Sequence, residues 1–248
     1  MKRLEGKIAI VTGAGKGIGR SLAVSLGSEG ATVFCVSRTL SDLDETVALV
    51  NNAGGNGIAF PCDLTIEKNV ATLVAQVEKI CGGIDILINN AGGYPKEIYS
   101  DNQQKAIRLW EWSKEQWDQI IKTNLDIPFL CMKHVIPVMI RQKSGDIINL
   151  SSRMGRIASE MGGYAVAKGG IITMTKTAAI QTADYGVRVN AIAPGMLDTP
   201  GQRDYNHNVG QDNAKMGSPD SVAKAALYLL CDAPSVMTGQ TLDLFTTI

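Results

Sequence analysis

The chain has 248 residues, with 24 basic and 24 acidic side chains, so its formal net charge at pH 7 is zero. This balance leaves no electrostatic footprint for DNA, RNA or an anionic membrane. The first apolar run is too short for a signal peptide, and no apolar segment approaches the roughly 20 residues of a membrane span. We therefore expect a soluble protein of the cytoplasm that binds neither nucleic acid nor membrane.

The cysteines indicate the redox compartment and the absence of a metal site. The chain has five of them, scattered without a C-x-x-C pair or a histidine at metal-binding spacing. An odd and scattered set is typical of reduced thiols rather than of disulfides or a zinc site. The cysteines therefore also predict a cytoplasmic protein, with no bound metal. They are Cys35, Cys62, Cys81, Cys131 and Cys231.

Short β-branched runs alternate with longer helical patterns along the whole chain. The predicted strands are KIAIVTG, ATVFCVS, IAFPCDL, IDILINNAG, GDIINLSS, VRVNAIAPG and QTLDLF. The predicted helices lie near 17–29, 42–53, 66–81, 114–142, 161–185 and 219–231. Apolar strands that alternate with helices form a parallel sheet covered on both faces. The pattern predicts an α/β fold, a single doubly wound Rossmann-type domain over residues 1–248 with about seven parallel strands.

The first predicted strand runs into a glycine-rich turn, TGAGKGIG, and then into a helix. Its spacing is T-G-x-x-x-G-x-G rather than G-x-G-x-x-G, because Ile18 stands where the latter motif would end. Backbone N–H groups and the positive helix end make such a turn a site for a pyrophosphate. Glycines let the backbone approach the phosphates closely. The predicted dinucleotide-binding residues of this turn are Gly13, Gly15, Lys16, Gly17, Ile18 and Gly19.

The end of the second strand predicts which dinucleotide binds. It carries Ser37 and Arg38, where a site for NAD would place an acid for the ribose 2′-hydroxyl. An arginine at this place suits a 2′-phosphate, and Lys16 can add positive charge. We therefore favour NADP(H) over NAD(H) as the cofactor, with NAD(H) as the alternative.

Tyr164 and Lys168 stand four positions apart in a predicted helix, which places both side chains on one helical face. An ammonium beside a phenol stabilises the phenolate, and we expect it to lower the tyrosine pKa from about 10. A tyrosine tuned in this direction can act as an acid or a base near neutral pH. Two hydroxyls, Ser151 and Ser152, follow the apolar run DIINL just upstream. Taken alone, the Tyr-x-x-x-Lys spacing indicates either a catalytic pair or an ordinary pair on a helix surface.

Six segments in this order resemble the short-chain dehydrogenase/reductase family across nearly the whole chain. They are TGAGKGIG, NNAG, TNL, NLSS, YAVAK and PGMLDT. The resemblance is greatest to the branches of 3-oxoacyl-acyl-carrier-protein reductases and of sugar or polyol dehydrogenases. The resemblance implies hydride transfer between a nicotinamide cofactor and a carbonyl or alcohol carbon, while the protein donates or accepts the proton.

The resemblance also implies roles for individual residues. In the reductive direction Tyr164 donates the proton, Lys168 lowers its pKa and binds the nicotinamide ribose, and Ser152 holds the substrate oxygen. Asn124 fixes a water that links Lys168 to solvent. The cofactor residues implied in the same way are Asp63 and Leu64 at the adenine, Asn90, Ala91 and Gly92 in the cleft, and Pro194, Gly195, Leu197 and Thr199 at the carboxamide, besides Tyr164 and Lys168.

The choice of the catalytic serine depends on the alignment. The family usually places this serine thirteen positions before the tyrosine, which selects Ser151. Aligning the NLSS-x-x-G pattern on Gly155 instead selects Ser152 and implies a one-residue deletion in the loop. We favour Ser152, because a motif at a strand end is fixed more tightly than a loop length.

Two regions differ from the family pattern. The segment 94–112 is longer than the usual link and carries Tyr94, Tyr99, Trp110 and Trp112, so it is either one wall of the substrate mouth or a surface excursion. The stretch after Thr199 is polar and short for a substrate lid. A polar lid favours a polar or hydroxylated substrate.

The leading interpretation is an NADP(H)-dependent oxidoreductase that interconverts a secondary alcohol and a ketone. The alternatives are an NAD(H)-dependent polyol or sugar dehydrogenase and a non-catalytic dinucleotide sensor. The expected partners of the protein are a small carbonyl or alcohol substrate and further copies of the chain. By resemblance, the helices near 114–142 and 161–185 pair between subunits of a dimer or tetramer.

Overall fold

Seven parallel strands form one sheet in the order β3-β2-β1-β4-β5-β6-β7. A computed structural model describes residues 2–94, 107–208, 210 and 215–245. The strands are β1 Ile8–Thr12, β2 Thr32–Ser37, β3 Asn56–Pro61, β4 Ile86–Asn89, β5 Gly145–Leu150, β6 Val187–Pro194 and β7 Thr241–Leu244. All seven predicted strands are therefore found, and the doubly wound Rossmann-type fold is confirmed.

Helices cover both faces of this sheet. They are α1 Gly17–Ser28, α2 Leu40–Asn52, α3 Glu67–Cys81, α4 Lys114–Ile121, α5 Ile127–Gln142, α6 Gly162–Thr182, α7 Pro200–Asn208 and α8 Asp220–Leu227. The single helix predicted near 114–142 is divided by a π-helical turn at Lys122–Asp126. Helix α7 was not predicted, because its segment carries almost no apolar side chain.

Two apolar cores lie on the two faces of the sheet. Along β1, Ala9 and Val11 face the core formed with α1, α2 and α8. The intervening Ile10 faces the core formed with α3, α5 and α6. Because strands buried on both faces need apolar residues at successive positions, the short continuous apolar runs of the sequence predicted this arrangement.

The strand order reverses between β1 and β4, which places a crevice at their carboxyl ends. Thr12 at the end of β1 joins the two loops there. Its hydroxyl accepts hydrogen bonds from the backbone N–H groups of Asn90 at 2.9 Å and of Ala91 at 3.0 Å. It also donates to the carbonyl oxygen of Ile88 at 3.2 Å. The glycine turn and the loop after β4 are thus held against each other.

Over the ranges that the structure describes, no helix is both long enough and apolar enough to span a bilayer.

Candidate functional site

A cleft of about 800 Å³ opens at the carboxyl edge of the sheet. It brings together residues that lie far apart in the sequence but were predicted to share one site. The predicted residues that line it are Gly13, Lys16, Gly17, Ile18, Asn90, Ala91, Gly92, Ser152, Tyr164, Lys168, Pro194, Gly195, Leu197 and Thr199. The predicted residues outside its lining are Gly15, Gly19, Ser37, Arg38, Asp63, Leu64 and Asn124.

The glycine turn fits a dinucleotide pyrophosphate. Gly13 and Gly17 have φ angles of 65° and 54°, in the left-handed region that favours glycine. The N-cap of α1, Lys16, makes no side-chain capping hydrogen bond. The first N–H groups of α1 therefore stay available at the positive helix end, where an anion binds well.

Gly19 packs against this turn and does not line the cleft. A Cβ at Gly19 would lie 2.1 Å from the carbonyl oxygen of Gly13 and 2.6 Å from the side-chain nitrogen of Asn90. That amide donates to the carbonyl oxygens of Thr12 and Gly13 at 3.0 and 3.2 Å. Gly19 is thus needed for close packing of α1 against the turn.

The residues predicted to bind a 2′-phosphate lie beside the turn. Arg38 is exposed just after β2, while the Lys16 ammonium is 3.1 Å from a carboxylate oxygen of Asp42. Asp42 also lies close to Gly15, where a Cβ would be 3.0 Å from its Cβ. Lys16 is therefore paired with an acid that the sequence interpretation did not consider.

The two residues expected at the adenine differ in exposure. Asp63 accepts hydrogen bonds from the backbone and hydroxyl of Thr65, and these bonds, with the charge of Arg38, lower the pKa of its carboxyl. Leu64 is buried in the core beside α3.

Asn124 lies in the π-helical turn and is completely buried. Its carbonyl oxygen accepts from the N–H of Gly93 and its amide donates to the carbonyl oxygen of Gly93, both at 2.8 Å. The amide also donates to the carbonyl oxygen of Ile120 at 3.1 Å. Asn124 therefore holds the chain after β4 at the cleft wall, and its side chain does not itself line the cleft.

Tyr164 and Lys168 share one face of α6, as predicted. The Lys168 ammonium lies 5.6 Å from the centre of the Tyr164 ring and donates to the carbonyl oxygen of Leu150 at 2.9 Å. Burial lowers the pKa of Lys168 to about 8. The prediction that the Tyr164 pKa is lowered is wrong, because burial of the phenol raises this pKa. The ammonium lies over the ring and is bound to a carbonyl.

The two serines have different surroundings. The Ser152 hydroxyl faces the Tyr164 phenol, and their interaction opposes the rise in the tyrosine pKa. It also accepts from the N–H of Met154 at 3.2 Å. Ser151 is buried, and its hydroxyl donates to the carbonyl oxygen of Lys168 at 2.7 Å. Ser152 is therefore the serine that contacts the phenol, while Ser151 ties β5 to α6.

Part of the 94–112 segment forms a wall of the cleft. Tyr94 and Ile107 line it, and the rings of Tyr94 and Tyr164 have centroids 6.1 Å apart. Trp112 donates its indole N–H to the carbonyl oxygen of Ile107 at 3.1 Å and packs at Gly162. Trp110 is 78% exposed. Tyr99 lies outside the described residues.

Several other cleft residues were not singled out from the sequence. These are Gly93, Arg153, Met154, Ser159, Glu160, Met161, Met196, Gln202 and Tyr205. They follow the recognised motifs in loops or belong to α7, so no spacing rule marks them. The signal available in the sequence was position, since Arg153 directly follows the predicted catalytic serine.

Comparisons with known proteins identify the family of this chain. Residues 7–210 match the sequence profile of the short chain dehydrogenase family. An uncharacterized oxidoreductase of Bacillus subtilis, YxbG, is 36% identical over 97% of this chain and 90% of its own length. A 3-oxoacyl-acyl-carrier-protein reductase of Thermotoga maritima is 34% identical over 98% of this chain and 97% of its own.

A solved structure gives the same result in three dimensions. A 3-oxoacyl-acyl-carrier-protein reductase of Brucella melitensis with bound NAD superposes with a TM-score of 0.83 at 31% identity. The match covers 99% of this chain and 95% of that one. The chain therefore belongs to the short-chain dehydrogenase family, and it is an oxidoreductase of the type that acts on CH–OH groups.

Proposed function

We propose that the protein is an NADP(H)-dependent oxidoreductase that interconverts a ketone and a secondary alcohol at Tyr164. The observation that carries this proposal is the meeting of the Ser152 hydroxyl and the Tyr164 phenol at the cleft, with the Lys168 ammonium beside the ring. A hydrogen-bond donor, a proton donor and a cation at one place suit a carbonyl oxygen that becomes an alkoxide.

The protein's part in the reaction is to orient the carbonyl and to supply one proton. When bound, the nicotinamide cofactor supplies the hydride that goes to the carbonyl carbon in reduction. The Ser152 hydroxyl donates a hydrogen bond to the carbonyl oxygen, and Tyr164 transfers its phenolic proton to that oxygen as charge develops. Lys168 then stabilises the phenolate that remains. The predicted water relay at Asn124 would return the proton from solvent.

The raised pKa of Tyr164 favours the reductive direction near neutral pH. Because burial raises the pKa, the phenol is protonated and ready to donate. Alcohol oxidation needs the phenolate, so its rate is expected to increase as the pH rises above neutrality, whereas ketone reduction is expected to fall. Initial rates in both directions across an alkaline pH series measure this difference.

The preference for NADP(H) is supported by Arg38, which is exposed directly after β2. Lys16 offers less support, because Asp42 already pairs with it. The same Asp42 is the observation that favours the second candidate, an NAD(H)-dependent polyol dehydrogenase, since it places an acid near the turn. The two candidates differ in cofactor and share the chemistry at Tyr164.

Fluorescence titration with NADPH and NADH tests the cofactor assignment. We expect tighter binding of NADPH, and Arg38→Ala should weaken NADPH roughly tenfold while changing NADH little, since an ion pair with a phosphate contributes about 1.5 kcal/mol. Asp42→Asn is the matched variant and should tighten NADPH by freeing Lys16. Equal affinities for both cofactors, unaffected by Arg38→Ala, would favour the NAD(H) candidate.

A panel of ketones and secondary alcohols, followed by the absorbance of the reduced nicotinamide, tests the catalytic assignment. Turnover is expected with at least one ketone class. Binding of cofactor without turnover of any substrate would instead support a dinucleotide sensor.

Assembly into a dimer or tetramer is supported by exposed apolar side chains on α5 and α6. Phe129 and Val166 are each 50% exposed, and Ile180 is 81% exposed. Such side chains on neighbouring helices suit a surface that another copy covers. Sedimentation of the purified protein tests this, and a monomer would contradict it.

The free state of all five cysteines supports the predicted cytoplasmic location.

A further inference from the structure

Arg153 lines the cleft, and one N–H group of its guanidinium has no acceptor among the described residues. Its Nε is buried and has no hydrogen-bond acceptor within the described part of the chain. A buried guanidinium N–H without an acceptor is costly, because it has lost water and gained nothing in exchange. The other buried unpaired side-chain atoms of the described residues, in Asn89, Arg188 and Thr241, do not belong to the cleft lining.

Other arginines in the same chain show what this atom usually binds. Arg156 presents Nε and Nη2 side-on to the carboxylate of Asp243, at 2.9 and 3.0 Å. Arg203 presents Nε and Nη2 in the same way to Asp198. A planar guanidinium binds a carboxylate well through this pair of donors. Arg153 has the same donor edge and no carboxylate.

The surroundings of Arg153 hold its guanidinium in place and leave its charge uncompensated. The guanidinium carbon lies 5.8 Å from the centre of the Phe245 ring, a cation–π contact that orients the plane. The other cations of the described cleft lining are already engaged, Lys16 with Asp42 and Lys168 with the carbonyl oxygen of Leu150. Arg153 is therefore the cation that remains for a ligand.

The position of Arg153 beside Ser152 connects this charge to the reaction. The two residues are adjacent and both line the cleft, and neighbouring Cα atoms are about 3.8 Å apart. A group bound by Arg153 therefore lies in the same cleft as a carbonyl oxygen bound by Ser152. The cleft lining also includes apolar side chains, among them Met154, Met161 and Met196, which suit a short carbon chain.

We propose that Arg153 determines substrate specificity by binding a carboxylate of the substrate, which makes the substrate an oxo acid and its reduced form a hydroxy acid. This proposal rests on the hydride-transfer function proposed above and names its substrate class. The carboxylate lies a few bonds from the reacting carbonyl and pairs with the guanidinium of Arg153 at the cleft. It takes no part in proton transfer.

The test compares oxo acids with their methyl esters, which remove the charge and keep the reacting ketone. The kcat/KM of the wild-type protein is measured with 3-oxobutanoate, 4-oxopentanoate and both esters. We expect an acid to be preferred over its ester, and Arg153→Gln should reduce that ratio roughly ten- to a hundredfold, mainly through KM. Arg153→Lys keeps the positive charge but lacks the paired N–H donors of a guanidinium, and it should restore part of the acid-to-ester ratio.

Arg156→Gln is the matched control, because Arg156 is bound to Asp243 and is not part of the cleft lining. It should leave the acid-to-ester ratio unchanged. A wild-type acid-to-ester ratio of kcat/KM near one would overturn the carboxylate proposal, and so would an equal loss of that ratio in Arg153→Gln and Arg156→Gln. In either case, turnover of the ketones would still support the proposed function. Weaker NADPH binding in Arg153→Gln, with an unchanged ratio, would assign Arg153 to the cofactor and also overturn it.

A binding measurement keeps the two failures distinct. Calorimetric titration of the NADPH-loaded protein with butanoate and with butanamide needs no turnover. Preference for butanoate that is lost in Arg153→Gln supports the carboxylate site even if no ketone is reduced, in which case the proposed function alone fails. Equal binding of both probes by wild type and Arg153→Gln overturns the carboxylate site.

Discussion

The two halves of the cleft are built from different parts of the polypeptide. The proposed cofactor half includes Gly13, Gly17 and Gly92, which have no side chains. The proposed substrate half includes Tyr94, Met154 and Tyr205, which have large side chains. A backbone site is specified by local sequence spacing, whereas a side-chain site depends on how distant loops come together.

The two halves also give different information about function. The proposed cofactor half predicts the chemistry, because a glycine turn at a switch point favours dinucleotide binding. The proposed substrate half is expected to set the specificity, because its side chains would meet the reacting molecule. Ser152 and Tyr164 lie where the halves join, so variants there and on either side distinguish binding from chemistry.

The largest effect is expected at the junction of the halves. Ser152→Ala should reduce kcat roughly a hundred- to a thousandfold, because it removes a donor aimed at the developing oxyanion. Ser151→Ala should instead lower stability by about 1 kcal/mol, since it loses only the bond to the carbonyl oxygen of Lys168. Steady-state kinetics and urea denaturation of both variants measure this contrast. Equal or reversed losses of kcat would make Ser151 the catalytic serine.

A second effect concerns the buried lysine between the halves. The folded pKa of Lys168 is about 8, below its ordinary value of 10.5. Between these values the unfolded chain binds more protons, so the stability of wild type relative to Lys168→Met should increase with pH by about 3 kcal/mol. The difference in free energy of unfolding, measured from pH 7.5 to 10.5 without cofactor, tests this. A difference that is constant with pH would mean that the ammonium is well solvated.

The smallest effect is expected within the cofactor half. Gly19→Ala places a Cβ against the carbonyl of Gly13, and we expect about 1–3 kcal/mol of destabilisation together with weaker NADPH binding. Gly201→Ala is the matched control, because a Cβ there meets nothing within 4 Å. Thermal unfolding with and without NADPH compares the two. If Gly19→Ala is as stable as Gly201→Ala, the turn is looser than its contacts indicate.

The sequence predicted the fold nearly completely because each strand is a short apolar run between turn residues. It missed α7, whose polar residues give no apolar stripe. It also missed the π-helical turn, since one extra residue in a helical ladder has no periodic mark. That turn matters, because Asn124 within it holds Gly93 at the cleft wall.

The candidate site was predicted where motifs set its geometry and missed where tertiary contacts do. Tyr164 and Lys168 share a helical face by spacing alone. The paired state of Lys16 depends on Asp42 in α2, and the raised pKa of Tyr164 depends on burial by several loops. The unpaired Nε of Arg153 likewise appears only when its surroundings are known.

The most direct test compares wild type and Tyr164→Phe in two measurements, the NADPH dissociation constant by fluorescence and single-turnover reduction of a ketone by stopped flow. Removal of the phenolic hydroxyl should affect NADPH affinity much less than it affects reduction, which should slow roughly a hundred- to ten-thousandfold. This result would place cofactor binding and proton transfer in separate parts of the cleft. Reduction by Tyr164→Phe at a rate close to wild type would contradict the assignment of Tyr164 as the proton donor.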